Sequence, residues 1–413
     1  MQKVLAEWRE KWRILVCAVI GVTASVSYVF GLGVLVPHIH AETGWSRAQI
    51  SAGLLVGATV LALVSPVTGR LVDRGHTRAC AMGGFVIYGL GLAAVGMAPV
   101  PFLPWLVLWA ATAVGAGLCC LTLWTTLITR WFHEGRGITL AVVMSGSGLS
   151  AVIAPLAASA LAAWLGWREA LAVMGLAIVA ICLPLCAAWL HDAPAAQEAG
   201  SQGEGQNAGG PAIFGLSLLK LCALAFMLTG TLTGMSVHFP LILAQAGASA
   251  ARAAQLTGLI GLGVIVGRFA IGALLDKFSG ALVGALAMAG PAVATLLLFD
   301  AAVGQSLGGL VAAALIGFAL GTVSLVLAVV TGQLYRADSF GSALGVVIGC
   351  MSVSSGIGPV IAGRVYDRTG DYSAFLMGAG AVFVLAMLIF LSLGRAIRQR
   401  GRPGQAGMEG DGA

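Results

Sequence analysis

The stretch GLIGLGVIVGRFAIGALLDKFSG, residues 258–280, decides the fold because it places one charge inside a long apolar run. Between Gly258 and Leu275 the only ionisable residue is Arg268, and the run is long enough to cross a hydrocarbon core of roughly 30 Å as a helix. If Asp276 marks the membrane surface, the intervening residues at about 1.5 Å each place Arg268 about 12 Å deep. A charge at this depth normally faces an interior cavity and has a function.

The composition of the whole chain also indicates a membrane protein. The chain has 413 residues, of which 59% are hydrophobic and 9% charged. A soluble fold could neither bury so much apolar side chain nor cover its surface with so few charges. The net charge of +6 does not indicate nucleic acid, because the basic residues stand in short clusters between apolar runs and act as topology signals.

The eight cysteines all lie within apolar runs, and none belongs to a CxxC pair. We interpret them as small packing residues rather than metal ligands or disulfides, and we expect neither a metal nor a cofactor. The N-terminal segment MQKVLAEWREKWRILV is basic and leads into a long apolar run without a small-residue cleavage site at the usual distance. It predicts an uncleaved first helix.

Twelve apolar runs predict an all-α membrane protein with twelve transmembrane helices. Their approximate bounds are 14–36, 48–68, 79–98, 102–128, 138–163, 168–190, 213–240, 254–275, 281–299, 306–334, 342–363 and 373–394. An even number of spans puts both termini on one side of the membrane. Sixteen of the 22 Lys and Arg residues fall on that side and five on the opposite side.

By the positive-inside rule, this asymmetry predicts that both termini are cytoplasmic. We expect an integral plasma-membrane protein, with a bacterial inner membrane favoured, that is a monomer in the lipid bilayer. We expect no nucleic-acid partner.

The chain repeats itself on either side of a segment rich in Gly, Ala, Gln and Glu, residues 191–212, which we interpret as a flexible cytoplasmic linker. Four positions recur 203 residues later and two recur 204 residues later: Gly31, Pro37, Gly44 and Gly69 as Gly234, Pro240, Gly247 and Gly272, then Pro155 and Gly166 as Pro359 and Gly370. The repeat predicts two pseudo-symmetric six-helix halves, 1–190 and 213–413, the second ending in a short basic tail. Paired halves of this kind enclose a site near the membrane midplane.

Two repeat-related loops carry Asp and basic residues at matching positions, GRLVDRGHTR at 69–78 and GALLDK at 272–277. We predict a gating motif in which glycine allows close helix contact and the charged residues form ion pairs that break and remake at the cytoplasmic mouth. Its members are Gly69, Asp73, Arg74, Arg78, Gly272, Asp276 and Lys277. An ordinary charged loop that only orients the helices would explain one copy but not the paired placement.

The two loops resemble the G-x-L-x-D-R-x-G-R signature of the major facilitator superfamily, and the resemblance extends over the whole chain. It implies the major facilitator fold and transport by alternating access between the two halves.

A narrower resemblance, to the monocarboxylate transporters and oxalate/formate antiporters, rests on three regions. These are Tyr28-Val29-Phe30-Gly31 through Pro37 with Gly44-Trp45-Ser46-Arg47, then Arg130-Trp131-Phe132 with Arg136-Gly137, Ser145-Gly146-Ser147-Gly148 and Gly166-Trp167-Arg168, and finally His238-Phe239-Pro240 with Gly267-Arg268. The resemblance implies that Arg268 in the eighth helix binds the substrate carboxylate. The chain departs from these families at Val264, where monocarboxylate transporters carry an aspartate, and in the eleventh helix, which lacks the lysine of oxalate exchangers. Proton coupling and dicarboxylate selectivity therefore stay open.

The residues themselves point to an anion because Arg268 lacks an internal counterion. All sixteen acidic residues lie in tails, loops or at the ends of runs. Arginine stays protonated, so water, backbone carbonyls or a bound anion must meet its charge, and a carboxylate matches its fork geometry. Two alternatives remain: Arg268 could be a structural or gating residue bonded to backbone carbonyls, or it could extend its side chain towards the cytoplasm.

Other candidate substrate-binding residues are polar or aromatic. His238, near the outer end of the seventh run, could donate to a carboxylate or exchange a proton, although a lone histidine in an apolar helix is more often a satisfied packing residue. The remaining candidates for the cavity wall are Tyr28, Thr122, Trp124, Thr125, Thr322 and Ser324. Hydroxyls in membrane helices commonly bond to their own backbone instead.

The sequence thus predicts a secondary active transporter of a small organic anion, with a monocarboxylate favoured and proton coupling or exchange left open. The alternative within transport is an exporter of neutral or amphipathic solutes in which Arg268 is structural. A membrane-embedded enzyme is disfavoured, because the chain has no H-E-x-x-H and no buried carboxylate pair, and its G-x-S-x-G match at 304–308 stands between two apolar runs rather than after a predicted strand. A receptor or scaffold usually carries a soluble module, and the longest loop here is the linker.

Overall fold

The computed structural model describes residues 2–98, 101–132, 134–192, 215–275, 277–300, 302–335 and 337–400. Within these ranges the chain forms sixteen α-helices and no β-strand. Twelve helical stretches are long and apolar enough to cross a membrane. The predicted all-α membrane fold with twelve spans is therefore confirmed.

Nine helices form a first group, whose members pack chiefly on one another: α1 (Gln2–Ser25), α2 (Ser27–Thr43), α3 (Arg47–Asp73), α4 (Thr77–Gly96), α5 (Phe102–Leu118), α6 (Leu121–Trp131), α7 (Arg136–Met144), α8 (Gly146–Leu165) and α9 (Trp167–Trp189). Four of the spans consist of two helices joined at a break, for example α7 and α8.

Seven helices form a second group: α10 (Leu216–Gln245), α11 (Ala250–Leu275), α12 (Gly280–Ala287), α13 (Ala289–Leu297), α14 (Leu307–Leu334), α15 (Ala337–Thr369) and α16 (Ser373–Arg400). In this group α11 packs on α14, and α10 packs on α15. The predicted linker, 191–212, lies almost wholly outside the described residues, so its boundaries stay a prediction.

Because the spans alternate in direction, the first and last helices bring both ends of the described chain to one end of the bundle. We call this the terminus-bearing end and the opposite one the far end. Repeat-related glycines shape equivalent turns at the far end: Gly44 and Gly247 have φ of 70° and 77°, and Gly166 and Gly370 have φ of 94° and 80°. These left-handed conformations suit glycine, which explains why the repeat keeps it there.

The two groups meet along a seam, which we define as the contacts of α2 with α10, α3 with α15, and α8 with α11. Backbones approach closely there because small residues face each other. A Cβ atom at Gly363 would lie 2.7 Å from the Ala48 amide nitrogen, and one at Gly356 would lie 2.6 Å from the Leu55 Cα atom. Since α3 begins at the far end, both approaches lie in the far half of the bundle.

Candidate functional site

A cavity of about 270 Å³ lies between the two groups, near the middle of the spans. Its walls differ in chemistry. The first group supplies Tyr28, Ser147 and six residues with only carbon in the side chain, and the second group supplies three residues with hydroxyl groups. The carbon-only residues are Val26, Val29, Phe30, Leu54, Ala58 and Leu61, and the three from the second group are Thr233, Ser352 and Ser355. A larger crevice of about 350 Å³ is lined by the second group alone, between α10, α15 and α16, and so does not lie between the groups.

Tyr28 is the predicted wall residue that lines this cavity. Its ring packs edge-on against Tyr88 and tilted against Trp109, with centroid distances of 6.0 and 5.7 Å. The Tyr88 hydroxyl also accepts a hydrogen bond from the Tyr28 amide at 3.3 Å and bonds to the Ser27 hydroxyl at 2.9 Å. The backbone and ring of Tyr28 are thus held in place, whereas no described residue bonds to its own hydroxyl.

Arg268 lies beside this cavity on α11 and reaches across to the first group. Its Nη1 donates to the Met144 carbonyl oxygen. Its Nε is buried and has no hydrogen-bond partner among the described residues. No described carboxylate forms an ion pair with it. One donor of this guanidinium is therefore satisfied across the seam, and another is left without an acceptor.

The break between α7 and α8 makes the Met144 carbonyl available. The Gly148 amide donates to the Ser145 carbonyl at 2.9 Å rather than one residue earlier, as an unbroken helix would require. The Ser147 hydroxyl instead donates to the Met144 carbonyl at 3.1 Å. Ser147 lines the cavity, so the oxygen that Ser147 and Arg268 share connects the guanidinium to the cavity wall, although Arg268 is not itself a lining residue.

The other predicted wall residues do not line the cavity. Trp124 is fully buried and donates to the Cys119 carbonyl at 3.0 Å, and Thr322 is fully buried and donates to the Ala319 carbonyl at 2.9 Å. Thr122 is exposed, and its carbonyl accepts from the Thr125 hydroxyl at 3.1 Å, whereas Ser324 is half-buried on α14. Trp124 and Thr322 thus lie in helix packing, and none of these five residues lines the cavity.

Sequence reasoning did not select Thr233, Ser352, Ser355 or Phe30 as site residues. One signal could have found two of them. Phe30 and Thr233 are separated by the repeat interval of 203 residues, and both line the cavity from matching helices, α2 and α10. Ser352 and Ser355 are spaced by one turn of α15, but nothing in the sequence tells which face of that helix is turned inward.

His238 lies in the seam towards the far end and is fully buried. Its Nε2 is 2.9 Å from the Pro359 carbonyl oxygen, which can only accept, so Nε2 carries a proton. In the neutral ring, Nδ1 then accepts from the Tyr372 hydroxyl at 2.8 Å, and the Ser51 hydroxyl lies 3.3 Å from Nε2. Both ring nitrogens are therefore engaged in packing between the groups, and His238 does not line the cavity.

The hydrogen bonds of His238 and Tyr372 continue to the start of α3, which lies at the far end. Arg47 donates to the Tyr372 hydroxyl at 2.8 Å, and its guanidinium lies 3.3 Å from the centre of the Tyr366 ring. The Asp367 carboxylate accepts from the Arg47 and Ala48 amides at 3.1 and 3.0 Å. An acidic group of one helix group thus caps a helix of the other. Burial raises the pKa of Tyr372, so its hydroxyl keeps the proton that it donates.

The charged residues of the predicted gating motif pair within the first group. Asp73 forms an ion pair with Arg130 at 2.6 Å. The Arg78 amide donates to Asp192 at 2.8 Å, and Arg74 lies at the end of α3. No described residue of the second group takes part in these contacts.

The glycines of the motif do not make close contacts in this structure. The nearest neighbour of a Cβ atom at Gly69 would be the Thr122 methyl group at 3.9 Å, and at Gly272 nothing lies within 4 Å. The prediction of close helix contact at these two glycines is therefore wrong for this conformation, because both lie where the groups diverge. Asp276 lies outside the described residues, and Lys277 follows α11 as an exposed residue.

Comparisons with known proteins agree with the fold. The family model described as Major Facilitator Superfamily matches residues 15–359. A Bos taurus protein named Monocarboxylate transporter 13 is 27% identical over 353 residues, which cover 84% of this chain and 80% of that protein. A Streptomyces lividans protein named Chloramphenicol resistance protein is 27% identical over 394 residues, covering 90% of this chain and 93% of that one. The solved structure of the nucleoside transporter NupG superposes with a TM-score of 0.75 at 13% identity, covering 93% of this chain and 99% of that chain.

Proposed function

Because the chain belongs to the major facilitator superfamily, we propose that it is a secondary active carrier of a small organic anion, a monocarboxylate, that works by alternating access. The superfamily and its relatives establish a non-enzymatic transporter with twelve membrane spans. The observation that carries the finer proposal is the buried Nε of Arg268, a charged donor without a partner.

A carboxylate is the ligand that suits this donor. Arginine binds carboxylates through two parallel N–H···O bonds, and here Nε is free while Nη1 is held by a neutral carbonyl. A bound carboxylate would satisfy Nε and neutralise a charge that has no counterion among the described residues. Leaving such a buried donor unpaired costs about 1–3 kcal/mol, and more for a charged group, so anion binding is favoured at this position.

The arrangement of the two groups supports alternating access. The close contacts of the seam lie in the far half, whereas the gating-motif glycines at the terminus-bearing end have no close neighbours. Transport then requires a second conformation in which the seam parts. The basic residues of the sequence support a cytoplasmic location for the termini, and we propose a monomer in a bacterial inner membrane. A proton or an exchanged anion would provide the coupling.

Substitution of Arg268 tests the proposal. Arg268→Lys keeps the charge but loses the fork, so it should weaken monocarboxylate binding, and Arg268→Ala should remove most of it. The loss of a charge-assisted hydrogen bond corresponds to roughly ten- to more than hundredfold in affinity. The measurement is binding of propionate and hexanoate to purified protein by calorimetry. Arg252→Ala, at a half-buried arginine near the far-end start of the same helix, should bind as the unmodified protein does. Unchanged carboxylate affinity in a folded Arg268→Ala protein would refute the anion carrier.

The bond between Arg268 and the Met144 carbonyl favours one alternative, an exporter of neutral or amphipathic solutes in which Arg268 is structural. In that case Arg268→Ala should weaken the contact between the groups and affect carboxylates and their uncharged amides equally. The proposed anion carrier instead predicts that carboxylates lose affinity while amides do not. Comparing hexanoate with hexanamide in both proteins separates the two functions.

A further inference from the structure

The cavity walls restrict the shape of the solute as well as its charge. Six of the eight lining residues from the first group offer only carbon, and the ring of Tyr28 adds to the same wall. We call the surface formed by α2 and α3 residues, among them Phe30, Leu54 and Leu61, the apolar wall. Water in contact with this wall is displaced favourably by an apolar group of the solute.

The opposite wall, formed by Thr233, Ser352 and Ser355, accepts hydrogen bonds rather than supplying charge. Each of these hydroxyls donates its proton to a carbonyl of its own helix, at 2.7, 3.0 and 2.7 Å respectively. Their lone pairs stay available to a hydroxyl, an N–H group or a water molecule in the cavity. This wall therefore does not provide a second site for a carboxylate.

Among the described residues, Arg268 is the cation that lies beside the cavity. Arg268 lies where the Ser147 hydroxyl bonds to the Met144 carbonyl. Among the described residues that line the cavity, Tyr28 alone has an ionisable side chain. A second carboxylate on the solute would lie on the apolar wall or among hydroxyls that already use their protons. Burying an unpaired charge in this way is costly.

We propose that the solute is an amphipathic monoanion whose single carboxylate binds at the Arg268 and Ser147 corner and whose apolar body lies on the α2 and α3 wall. The inference rests on the proposed function, and it adds the class of substrate and its orientation. The cavity of about 270 Å³ has room for about nine water molecules. A short hydroxy acid would therefore leave most of the apolar wall in contact with water. A longer unbranched or aromatic monocarboxylate fills it.

A homologous series measures the contact with the wall without any substitution. We would determine the dissociation constants of propionate, butyrate, pentanoate and hexanoate for the purified protein by calorimetry. Each added methylene that is buried should tighten binding about fourfold. Adipate, which has the length of hexanoate but ends in a second carboxylate, should bind at least about tenfold more weakly than hexanoate.

Phe30→Ser tests the wall directly. It should weaken hexanoate binding about tenfold or more and leave propionate binding nearly unchanged, because only the longer body reaches the ring. Phe299→Ser, at an exposed phenylalanine that does not line the cavity, is the matched control and should leave both affinities unchanged. Size-exclusion profiles and melting temperatures establish that the variants are folded.

The possible outcomes separate this inference from the proposed function. Binding of every monocarboxylate with the same affinity, and of adipate as tightly as hexanoate, would overturn the amphipathic monoanion but leave the anion carrier standing. Equal affinities for hexanoate and hexanamide, with Arg268→Ala affecting neither, would overturn the anion carrier and leave only the apolar wall. A fourfold gain per methylene that is lost in Phe30→Ser supports both.

Discussion

The two ends of the bundle hold charge in opposite ways. At the far end, Asp367 of the second group caps the start of α3 in the first, and Arg47 of the first group reaches back to Tyr372 of the second. At the terminus-bearing end, Asp73 pairs with Arg130, and both belong to the first group. Glu42 and Arg168 also pair within the first group at the far end, at 2.7 Å. Among the described contacts, however, charged residues join the two groups at the far end, whereas Asp73 and Arg130 brace one group at the other end.

The glycines of α15 show the same difference between the two ends of the bundle. On α15, Gly356 and Gly363 lie against the backbone of α3, whereas Gly345 and Gly349 have no neighbour within 4 Å of a Cβ position. The seam therefore depends on small residues only where the groups meet. This difference tells where a substitution should shift the balance between conformations and where it should be tolerated, and three predictions test it.

The largest effect is expected from a side chain inserted into the seam. Gly363→Val would place its Cβ 2.7 Å from the Ala48 amide nitrogen, so α15 and α3 must move apart. Overpacking of this kind costs about 1–3 kcal/mol, which would reduce the closed far end about five- to 150-fold relative to an open one. Spin labels at the exposed residues Ala41 and Ala250, on opposite sides of the far end, would report the separation as a longer distance.

Gly345→Val is the matched control on the same helix. Its added carbons meet open space, so the distance between the labels should not change. If Gly363→Val leaves the distance distribution as it was while the protein stays folded, the seam does not close the far end.

A smaller effect is expected when the cap across the seam is removed. Asp367→Ala takes the acceptor away from two amides of α3, and loss of a helix cap costs typically about 1 kcal/mol, or roughly fivefold in the population of the closed far end. Asp371→Ala is the control, because Asp371 caps the Ser373 amide at 2.9 Å within the second group. Equal shifts in the two variants would show that the cap acts on local folding rather than on the seam.

The part of the site that sequence could predict is the part marked by charge. Arg268 stands out because a guanidinium inside an apolar run is costly wherever it lies, and in the structure it bonds to the Met144 carbonyl beside the cavity. Tyr28 follows from its place in the first membrane span. The twelve spans follow from length and hydropathy alone, since lipid and protein interior both favour apolar residues.

The apolar character of these helices also explains why the rest of the site could not be predicted from the sequence. Because the lipid-facing side and the packed side of these helices are both apolar, the periodic pattern does not tell which face of α6 or α14 is turned inward. Trp124 and Thr322 were therefore predicted as cavity residues from their residue type alone, although both are fully buried in helix packing. His238 was expected near the outer end, but its partner Tyr372 is 134 residues away and could not be found without the fold.

The smallest effect is expected at the terminus-bearing end, where charges do not cross between the groups. Asp73→Asn removes the ion pair with Arg130, and Asp73 is 60% exposed, so the pair is worth at most about 1 kcal/mol. Since both partners move with the first group, the distance between the far-end labels and the affinity for hexanoate should stay nearly unchanged.

Under the proposed alternating access, transport should respond differently, because it would also pass through a conformation in which this end closes. We expect a lower uptake rate for Asp73→Asn in proteoliposomes at unchanged affinity, which is the signature of an altered conformational step rather than of altered binding. Asp192→Asn, which affects the cap on the Arg78 amide in the same region, controls for a general loss of charge. An Asp73→Asn protein with the unmodified rate would reduce Asp73 to a brace of the first group. A longer far-end distance in that variant would instead show that the two ends of the bundle are coupled already in the conformation described here.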